Sequence, residues 1–411
     1  MKFFFPDSHD LVDPSFDFET EERSPSRIRH QHDLYAHEVF PKPPYNGILL
    51  SKAIVDGTSQ GAGKYTAPQR LRLFRSGIRS FFRLDGTPVE TMGDCGAFAY
   101  VSEPVPPYSV DEVLDFYEKC GFDHGVSVDH VILGFTSENN ENKLASEELV
   151  GYRARREITL TLARDFLKQH KKAKLRFTPV GVAQGWSPRS YADSVVSLQK
   201  MGYTRIGVGG LVPLKTDEIL AVLSAISGHR KKVTSLHLFG VTRIDSLAAF
   251  QDAGVTSFDS TSPLLHAFKH DSRNYFSNTG EYAAVRIPQV EGNAKLAMRI
   301  RAGEIKQEGA RRLERQCLKG VTEYARTGRG LKPLLSALNE YNQLFDGRKD
   351  RTAMYTRTLT DAPWKRCKCS VCRSLGVHVV LFRGAERNRR RGFHNLYVIM
   401  SRLQKHLNLS A

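Results

Sequence analysis

Short apolar runs alternate with amphipathic helical patterns between Gly47 and about Phe258. This alternation is typical of a parallel sheet whose strands are joined by crossover helices. Helix starts can be recognised between the runs, for example the capping box formed by Ser109 and Glu112. Six or more such units favour an α/β fold of the closed (β/α)8 type, a TIM barrel, over an open sheet. The predicted strands are 48–54, 125–132, 175–182, 205–209, 235–239 and 256–259.

The pattern changes on both sides of this region. Residues 1–45 are rich in Pro, Asp, His and Arg without a sustained period, and we interpret them as an irregular N-terminal arm. Residues 46–270 hold the main part of the barrel. Residues 271–355 are charged and helical, which predicts a helical insertion. Residues 356–411 carry a cysteine cluster and an amphipathic last helix, which predicts a C-terminal zinc-binding subdomain.

The chain carries a large positive charge. Lys and Arg number 60 against 44 acidic residues, a net charge of +16, and the pI is about 9.6. Such a surplus favours a polyanionic partner such as nucleic acid, because Lys and Arg on phosphates release condensed counterions. The alternative is a merely basic surface. Four basic clusters are candidates for phosphate contact: 153–156, 168–174, 230–232 and 387–391. Among them, we rank the cluster at 387–391 first.

Neither a membrane span nor a secretory leader is expected. No apolar run approaches the ~20 residues that cross a bilayer. The apolar start of the chain is interrupted at once by Pro6 and Asp7, which is too early for a secretory signal. We therefore expect a cytoplasmic protein.

Three of the six cysteines fall close together. Cys367, Cys369 and Cys372 form a C-x-C-x2-C motif, a spacing typical of a metal site rather than of a disulfide framework. Zinc prefers four tetrahedral nitrogen or sulfur ligands, and a site closed by four protein ligands is structural. His378 and His394 are nearby candidates for the fourth ligand, and we expect His394 because it opens the predicted last helix. The alternative is three free thiols in a basic loop.

Polar and glycine residues recur where the predicted strands end. Taken singly, such residues are common helix caps and turns. A TIM barrel, however, places its chemistry at the carboxyl ends of its strands. No G-x-G-x-x-G or Walker pattern indicates a nucleotide cofactor. We therefore expect a single site at this rim, formed by Asp94, Asp129, Gln184, Gly209, Gly210 and Asp259.

From about Gly47 to Leu407 the chain resembles the tRNA-guanine transglycosylase superfamily. The matching segments occur in the family's order, and they end with the cysteine motif and the Phe-His-Asn-Leu segment at 393–396. Residues 3–9 are most similar to the DNA-modifying branch, the DpdA-type 7-deazaguanine transglycosylases. The segment after Asp259 lacks the Thr-Arg-Asn-Gly-Arg run of the bacterial tRNA enzymes, and no separate RNA-binding domain follows the cysteine motif. The other matching segments are 93–98, 123–129, 181–185, 207–211, 237–241, 258–260 and 361–367.

The resemblance implies a role for each site residue. Asp259 would be the nucleophile and Asp94 the general acid and base, with retention through a covalent Asp-glycosyl intermediate. Zn²⁺ would be structural, held by Cys367, Cys369, Cys372 and His394. For Phe98 and Phe239 the alternative is ordinary core packing. The base would be bound by Asp129 and Gln184 at its edge, by the backbone of Gly209, Gly210 and Leu211, and by Phe98 and Phe239 on its faces.

The reaction implied is that of a pentosyltransferase that replaces guanine in DNA with a 7-deazaguanine base, such as 7-cyano-7-deazaguanine (preQ0). The partners are then DNA and the free base, in a bacterial or phage-encoded protein. Extruding a paired base costs a few kcal/mol, so an ATP-using helper protein is compatible with this reaction. A homodimer is compatible with it as well.

Three alternatives remain open. The first is a tRNA-guanine transglycosylase of the queuosine or archaeosine type. The second is a non-catalytic, zinc-bearing nucleic-acid-binding subunit, against which the presence of both Asp94 and Asp259 argues. The third is a metal-dependent hydrolase, which would need a pair of His ligands at a rim that has none.

Overall fold

The structure is a computed structural model that describes residues 1–7, 9–58, 61–137 and 145–409. The chain forms two compact units. The barrel unit comprises Met1–His9, Tyr45–Thr261 and Leu403–Ala411, and the second unit comprises Asp10–Pro44 and Ser262–Arg402.

Eight parallel strands form a closed barrel in the barrel unit. Each strand pairs with its neighbours in chain order, and β1 pairs with β8 to close the ring. The predicted α/β TIM barrel is thereby confirmed. The strands are β1 Lys2–Pro6, β2 Gly47–Ser51, β3 Glu90–Asp94, β4 His124–Val126, β5 Thr178–Ala183, β6 Arg205–Val208, β7 Ser235–Leu238 and β8 Val255–Asp259.

Sixteen α-helices lie within the described ranges, and three pairs of short strands accompany them. The pairs are Gly57–Thr58 with Gly61–Ala62, Tyr275–Ser277 with Gly280–Tyr282, and Val285–Arg286 with Leu381–Phe382. The helices are α1 Ala36–Val39, α2 Lys52–Asp56, α3 Ala67–Phe81, α4 Val110–Cys120, α5 Ser146–Ala173, α6 Pro188–Met201, α7 Thr216–Ser227, α8 Leu247–Asp252, α9 Ser262–Lys269, α10 Ala294–Arg301, α11 Gln307–Thr327, α12 Leu331–Asp346, α13 Thr352–Asp361, α14 Pro363–Arg366, α15 Ser370–Leu375 and α16 Gly384–Leu409.

Three barrel strands, β1, β3 and β4, differ from the sequence expectation. Residues 2–6, which we placed in an irregular arm, form β1, and Phe3 and Phe4 on it are fully buried. Their apolar run is too short to predict a strand, yet Phe4 belongs to the apolar layer inside the barrel and Phe3 stacks on Phe258. β3 was not predicted because its sequence, Glu-Thr-Met-Gly-Asp, is neither alternating nor apolar. β4 ends at Val126, so the predicted strand 125–132 is mostly loop.

The barrel interior is closed by a layer of large apolar side chains. Phe4 is at the centre of this layer and is fully buried. A Cβ on Gly47 of β2 would lie 2.3 Å from the Phe4 ring, so glycine is required where that ring crosses the neighbouring strand. The other buried members are Leu49, Met92, Val126, Val180 and Val182, against which the partly buried Phe239 packs.

Among the described residues, none of the helices combines the length and the apolar character that a membrane span requires.

Phe4→Ala should lower the free energy of unfolding by about 3–5 kcal/mol, because it leaves a cavity at the centre of this layer. Equilibrium denaturation followed by circular dichroism measures the change. The control is Leu71→Ala, since Leu71 on α3 is 71% exposed and its truncation should change stability by only about 0.5 kcal/mol. Equal effects of the two substitutions would contradict the importance of the Phe4 layer.

Candidate active site at the carboxyl ends of the barrel strands

All the residues that we predicted for the rim lie at the carboxyl ends of barrel strands. Asp94 and Asp259 are the last residues of β3 and β8. The others lie in the segments that directly follow a strand, so the structure brings together residues that are far apart in sequence. We call the whole set the mouth residues: Asp94, Phe98, Asp129, Gln184, Gly209, Gly210, Leu211, Phe239 and Asp259.

Asp94 is held by two donors at the strand end. The Ser51 hydroxyl donates to Oδ2 of Asp94 at 2.9 Å, and the Gly96 N–H donates to the same oxygen at 2.9 Å. Ser51 is in register with Asp94 on the neighbouring strand β2. Burial and the negative charge of Asp259 nevertheless raise the pKa of Asp94 to about 6. The two carboxylates therefore lie within electrostatic range of each other, and Asp94 can be protonated near neutral pH.

Asp259 is oriented through one of its two oxygens. Its Oδ1 lies 3.2 Å from Nε2 of His237 and accepts a hydrogen bond from the Gly240 N–H at 3.1 Å. His237 is fully buried on β7, directly before the loop that contains Gly240. Asp259 is also buried, so its carboxylate is fixed by the fold before any ligand binds.

Asp129 and Gln184 form a buried polar pair. The Gln184 amide donates to Oδ2 of Asp129 at 2.7 Å, and its carbonyl oxygen accepts from the Ile132 N–H at 3.2 Å. Burial and the charge of Asp94 raise the pKa of Asp129 to about 7. An amide and a carboxyl group held side by side can match the donors and acceptors along the edge of a planar base.

The turn after β6 requires glycine at two consecutive positions. A Cβ on Gly209 would lie 2.2 Å from Nε2 of Gln184, and one on Gly210 would lie 2.4 Å from the carbonyl oxygen of Ile132. Gly210 also has a φ of +72°, which L side chains rarely adopt. The backbone of this turn, which the buried Leu211 follows, therefore packs directly against Gln184 of the Asp129–Gln184 pair.

The two aromatic mouth residues differ in exposure. Phe98 is 49% exposed, in a short 3-10 helix after β3. Phe239 is partly buried, packs on the apolar layer and contacts His237 edge-on, with ring centroids 4.7 Å apart. An exposed ring and a half-buried ring at one rim can provide stacking surfaces for a base.

Sequence reasoning missed the residues that hold the carboxylates. Ser51 and His237, which contact the carboxylates, and Ser257, which contacts His237, were not singled out, although the alternation of β-strands offered a signal. Ser257 precedes Asp259 by two residues on β8, so the two side chains share a strand face.

The predicted metal ligands form a cluster in the second unit. The ligand atoms of Cys367, Cys369, Cys372 and His394 all lie within 4.8 Å of one another. Nδ1 of His394 lies 3.6, 3.4 and 3.4 Å from the three sulfur atoms, respectively. Sulfur and nitrogen ligands on a tetrahedral zinc ion would be separated by about 3.5 Å. The cluster can therefore hold a metal ion of this size.

The surroundings of His394 suit a metal ligand. Its Nε2 lies 2.7 Å from the carbonyl oxygen of Phe276, which fixes the proton on Nε2 and leaves Nδ1 free to coordinate. The Tyr275 ring stacks on the imidazole with centroids 4.1 Å apart. The other candidate ligand, His378, is instead 2.9 Å from the Glu19 carboxylate.

Comparison with known proteins supports the relationship that these residues suggest. No family model matches the chain. A curated protein of Salmonella montevideo, named DNA-guanine transglycosylase, is 49% identical over 413 residues, which cover 100% of this chain and 98% of that protein. The chain belongs to the DNA-guanine transglycosylase family. It is therefore an enzyme of the glycosyltransferase type within the tRNA-guanine transglycosylase superfamily.

Of the four basic clusters in this transglycosylase, we ranked the arginine run at 387–391 first as a candidate for phosphate contact. That prediction is wrong, because its arginines bind groups of the protein itself. Arg387 pairs with Glu21, and Arg390 donates to the carbonyl oxygen of Asp13 at 2.7 Å. Arg391 is fully buried and donates to backbone carbonyl groups, among them that of Leu381 at 2.9 Å. These guanidinium groups form ion pairs and hydrogen bonds within the second unit, because a buried cation requires such partners.

Asp129→Asn should stabilise the transglycosylase increasingly as the pH rises from about 4 to about 7. A carboxyl group whose pKa is raised by folding contributes stability below its unfolded pKa, and this contribution is lost as the pH rises through the folded value of about 7. The amide removes this loss and still accepts from Gln184. We expect a relative gain of about 2–4 kcal/mol at pH 7.5 over pH 4.5.

Denaturation curves of the variant and the native protein at both pH values measure this gain, because other titrations cancel in the difference. Asp165→Asn, at an exposed position of α5, is the matched control and should give no such trend. A pH-independent difference for Asp129→Asn would show that its carboxyl group ionises normally.

Proposed function

We propose that this protein replaces guanine in DNA with a 7-deazaguanine base, with retention of configuration. The observation that carries the proposal is the pair of carboxylates, Asp94 and Asp259, close enough for the charge of one to raise the pKa of the other. Two carboxyl groups that flank one anomeric carbon are sufficient for a double displacement.

In the first step Asp259 attacks C1′ of the target deoxyguanosine. The bond from C1′ to N9 breaks, its electron pair leaves with guanine, and Asp94 donates a proton to the departing base. A covalent bond between C1′ and a carboxylate oxygen of Asp259 remains. Asp94 suits the role of the acid because its pKa is raised to about 6, so a fraction of it is protonated near neutral pH.

In the second step the incoming base takes the place of guanine. Asp94, now ionised, accepts the proton from N9 of the incoming base while N9 attacks C1′, and Asp259 is released. We propose a 7-deazaguanine such as 7-cyano-7-deazaguanine (preQ0). Asp129 and Gln184 would bind its polar edge, the turn at 209–211 would support it, and Phe98 and Phe239 would cover its faces.

DNA as the polymer is supported by the name of the relative from Salmonella montevideo, which is 49% identical over nearly its whole length. The segment after Asp259, which lacks the Thr-Arg-Asn-Gly-Arg run of the bacterial tRNA enzymes, points the same way. Arg312, Arg315, Lys319 and Arg326 are exposed on α11 and are candidates for phosphate contacts. Exposed Lys168 and Lys171 on α5 are further candidates.

We propose that the metal is zinc and that it is structural. Three sulfur atoms and one imidazole are soft and borderline ligands that zinc prefers, and the four of them complete a tetrahedral shell without a position for substrate. Zinc would then tie α15 to α16 and contribute to the stability of the second unit.

The isolated protein should contain one zinc ion per chain, and Cys369→Ser should lose it and unfold at lower denaturant concentration. Elemental analysis after dialysis measures the metal. Cys317→Ser is the control, because Cys317 is buried on α11 outside the cluster and its change should leave the metal content unchanged. A native protein without zinc would contradict this proposal.

Asp259→Asn should reduce base exchange by about 10³-fold or more, since it removes the nucleophile. The assay is incorporation of labelled guanine into plasmid DNA or into tRNA. Without an incoming base, the native protein should form an adduct with DNA that survives denaturation. Asp252→Asn, at an exposed position of α8, should retain full exchange. Label in tRNA but never in DNA, or an adduct formed by Asp259→Asn, would overturn the proposal.

A further inference from the structure

His237 connects the proposed nucleophile to the interior of the barrel. Its Nε2 lies 3.2 Å from Oδ1 of Asp259, and its Nδ1 lies 2.8 Å from the hydroxyl oxygen of Ser257. Ser257 and His237 are in register on β8 and β7. The contact is therefore set by the pairing of two barrel strands rather than by a loop.

The hydrogen bonds that link Arg205, Ser257, His237 and Asp259 all run in one direction. An ionised carboxylate can only accept, so Nε2 of His237 carries the proton that points to Asp259. Burial lowers the pKa of His237, which keeps the ring neutral and makes Nδ1 an acceptor for the Ser257 hydroxyl. The Arg205 guanidinium, a donor only, lies 3.5 Å from the Ser257 oxygen. Every donor in the Arg205–Ser257–His237–Asp259 chain thus points toward Asp259.

This arrangement makes the two oxygens of Asp259 unequal. Oδ1 has His237 and the Gly240 N–H as donors, at 3.2 and 3.1 Å. Within the described residues no hydrogen bond reaches Oδ2. We propose that His237 is a positioning residue for base exchange, which holds Oδ1 of Asp259 so that Oδ2 is the oxygen that attacks C1′. The inference rests on the proposed role of Asp259 as nucleophile.

A purely structural role for His237 is the alternative to be tested. The ring is fully buried and contacts Phe4 edge-on, with ring centroids 5.8 Å apart, so it also fills space in the barrel. A packing role depends on the volume of the side chain, whereas positioning depends on a donor at the place of Nε2. Substitutions that separate volume from donor position therefore distinguish the two roles.

Three substitutions of His237 make this separation. In His237→Gln the terminal amide can place an N–H close to the position of Nε2. In His237→Asn the shorter side chain reaches only the position of Nδ1, beside Ser257. In His237→Phe the ring volume remains and both nitrogens are lost. His170→Phe is the matched control, because His170 is a buried histidine of α5 whose Nε2 bonds to the carbonyl oxygen of Phe177.

We expect kcat for guanine exchange into DNA to fall by about 10- to 100-fold in His237→Phe and His237→Asn, the loss of one hydrogen bond to a charged group. KM for DNA should stay within about threefold, because the DNA-binding surface is untouched. His237→Gln should recover most of kcat. The rate of adduct formation in the absence of an incoming base should follow the same order, while His170→Phe should keep the native rate.

Each outcome decides between the two roles. Equal kcat in Gln and Asn variants that remain folded, or losses that follow thermal stability rather than donor position, would overturn the positioning role. Should all three variants fail to fold, Ser257→Ala provides the measurement, since it removes the partner of Nδ1 with little change in volume. It should lower kcat by about threefold to tenfold at unchanged KM, and an unchanged kcat would overturn the proposal.

Failure of the proposed function would look different. If the native protein forms no adduct and Asp259→Asn still exchanges guanine, then Asp259 is not the nucleophile and the inference about His237 falls with it. If Asp259→Asn is inactive and His237→Phe exchanges guanine at the native rate, the proposed function stands and only the inference about His237 is lost.

Discussion

The pairing of β1 with β8 closes the barrel, and both the core and the site depend on this closure. Phe4 of β1 is in register with Asp259 of β8 and with Gly47 of β2. Its ring fills the centre of the apolar layer and contacts the edge of His237. The layer that stabilises the fold therefore lies directly under the carboxylates. Burial at this rim is also the main reason why the pKa values of Asp94 and Asp129 are raised.

The barrel could be predicted from sequence because its central strands are short apolar runs between capped helices. Two strands could not. β1 is separated from the next strand by forty residues, most of which belong to the second unit, so no local repeat indicates it. β3 carries Glu90 and Asp94 at its ends and a glycine within it. Its inward and outward positions are decided by neighbouring strands, and this context overrides local propensity.

The grouping of the candidate site residues was predictable because strand ends in a parallel barrel meet at one rim, whatever lies between them in sequence. The hydrogen-bond partners of each carboxylate could not be predicted from the sequence. Whether His237 contacts Asp259 depends on the register of β7 and β8, which only the folded chain defines. The arginines at 387–391 show the same limit. A run of cations suggests an external polyanion, but the structure pairs Arg387 with Glu21, some 370 positions away in sequence.

The two proposed catalytic carboxylates differ chemically because their surroundings differ. Asp94 is held at a single oxygen, and burial beside the charge of Asp259 favours its protonated form near pH 6. Asp259 has two N–H donors on Oδ1, which fix the orientation of its carboxylate. A carboxyl group with a raised pKa beside a second carboxylate that is fixed in place can divide the roles of acid and nucleophile between them. The hydrogen bonds of the Arg205–Ser257–His237–Asp259 chain strengthen this division, because they fix Oδ1 of Asp259 and none of their donors reaches Asp94.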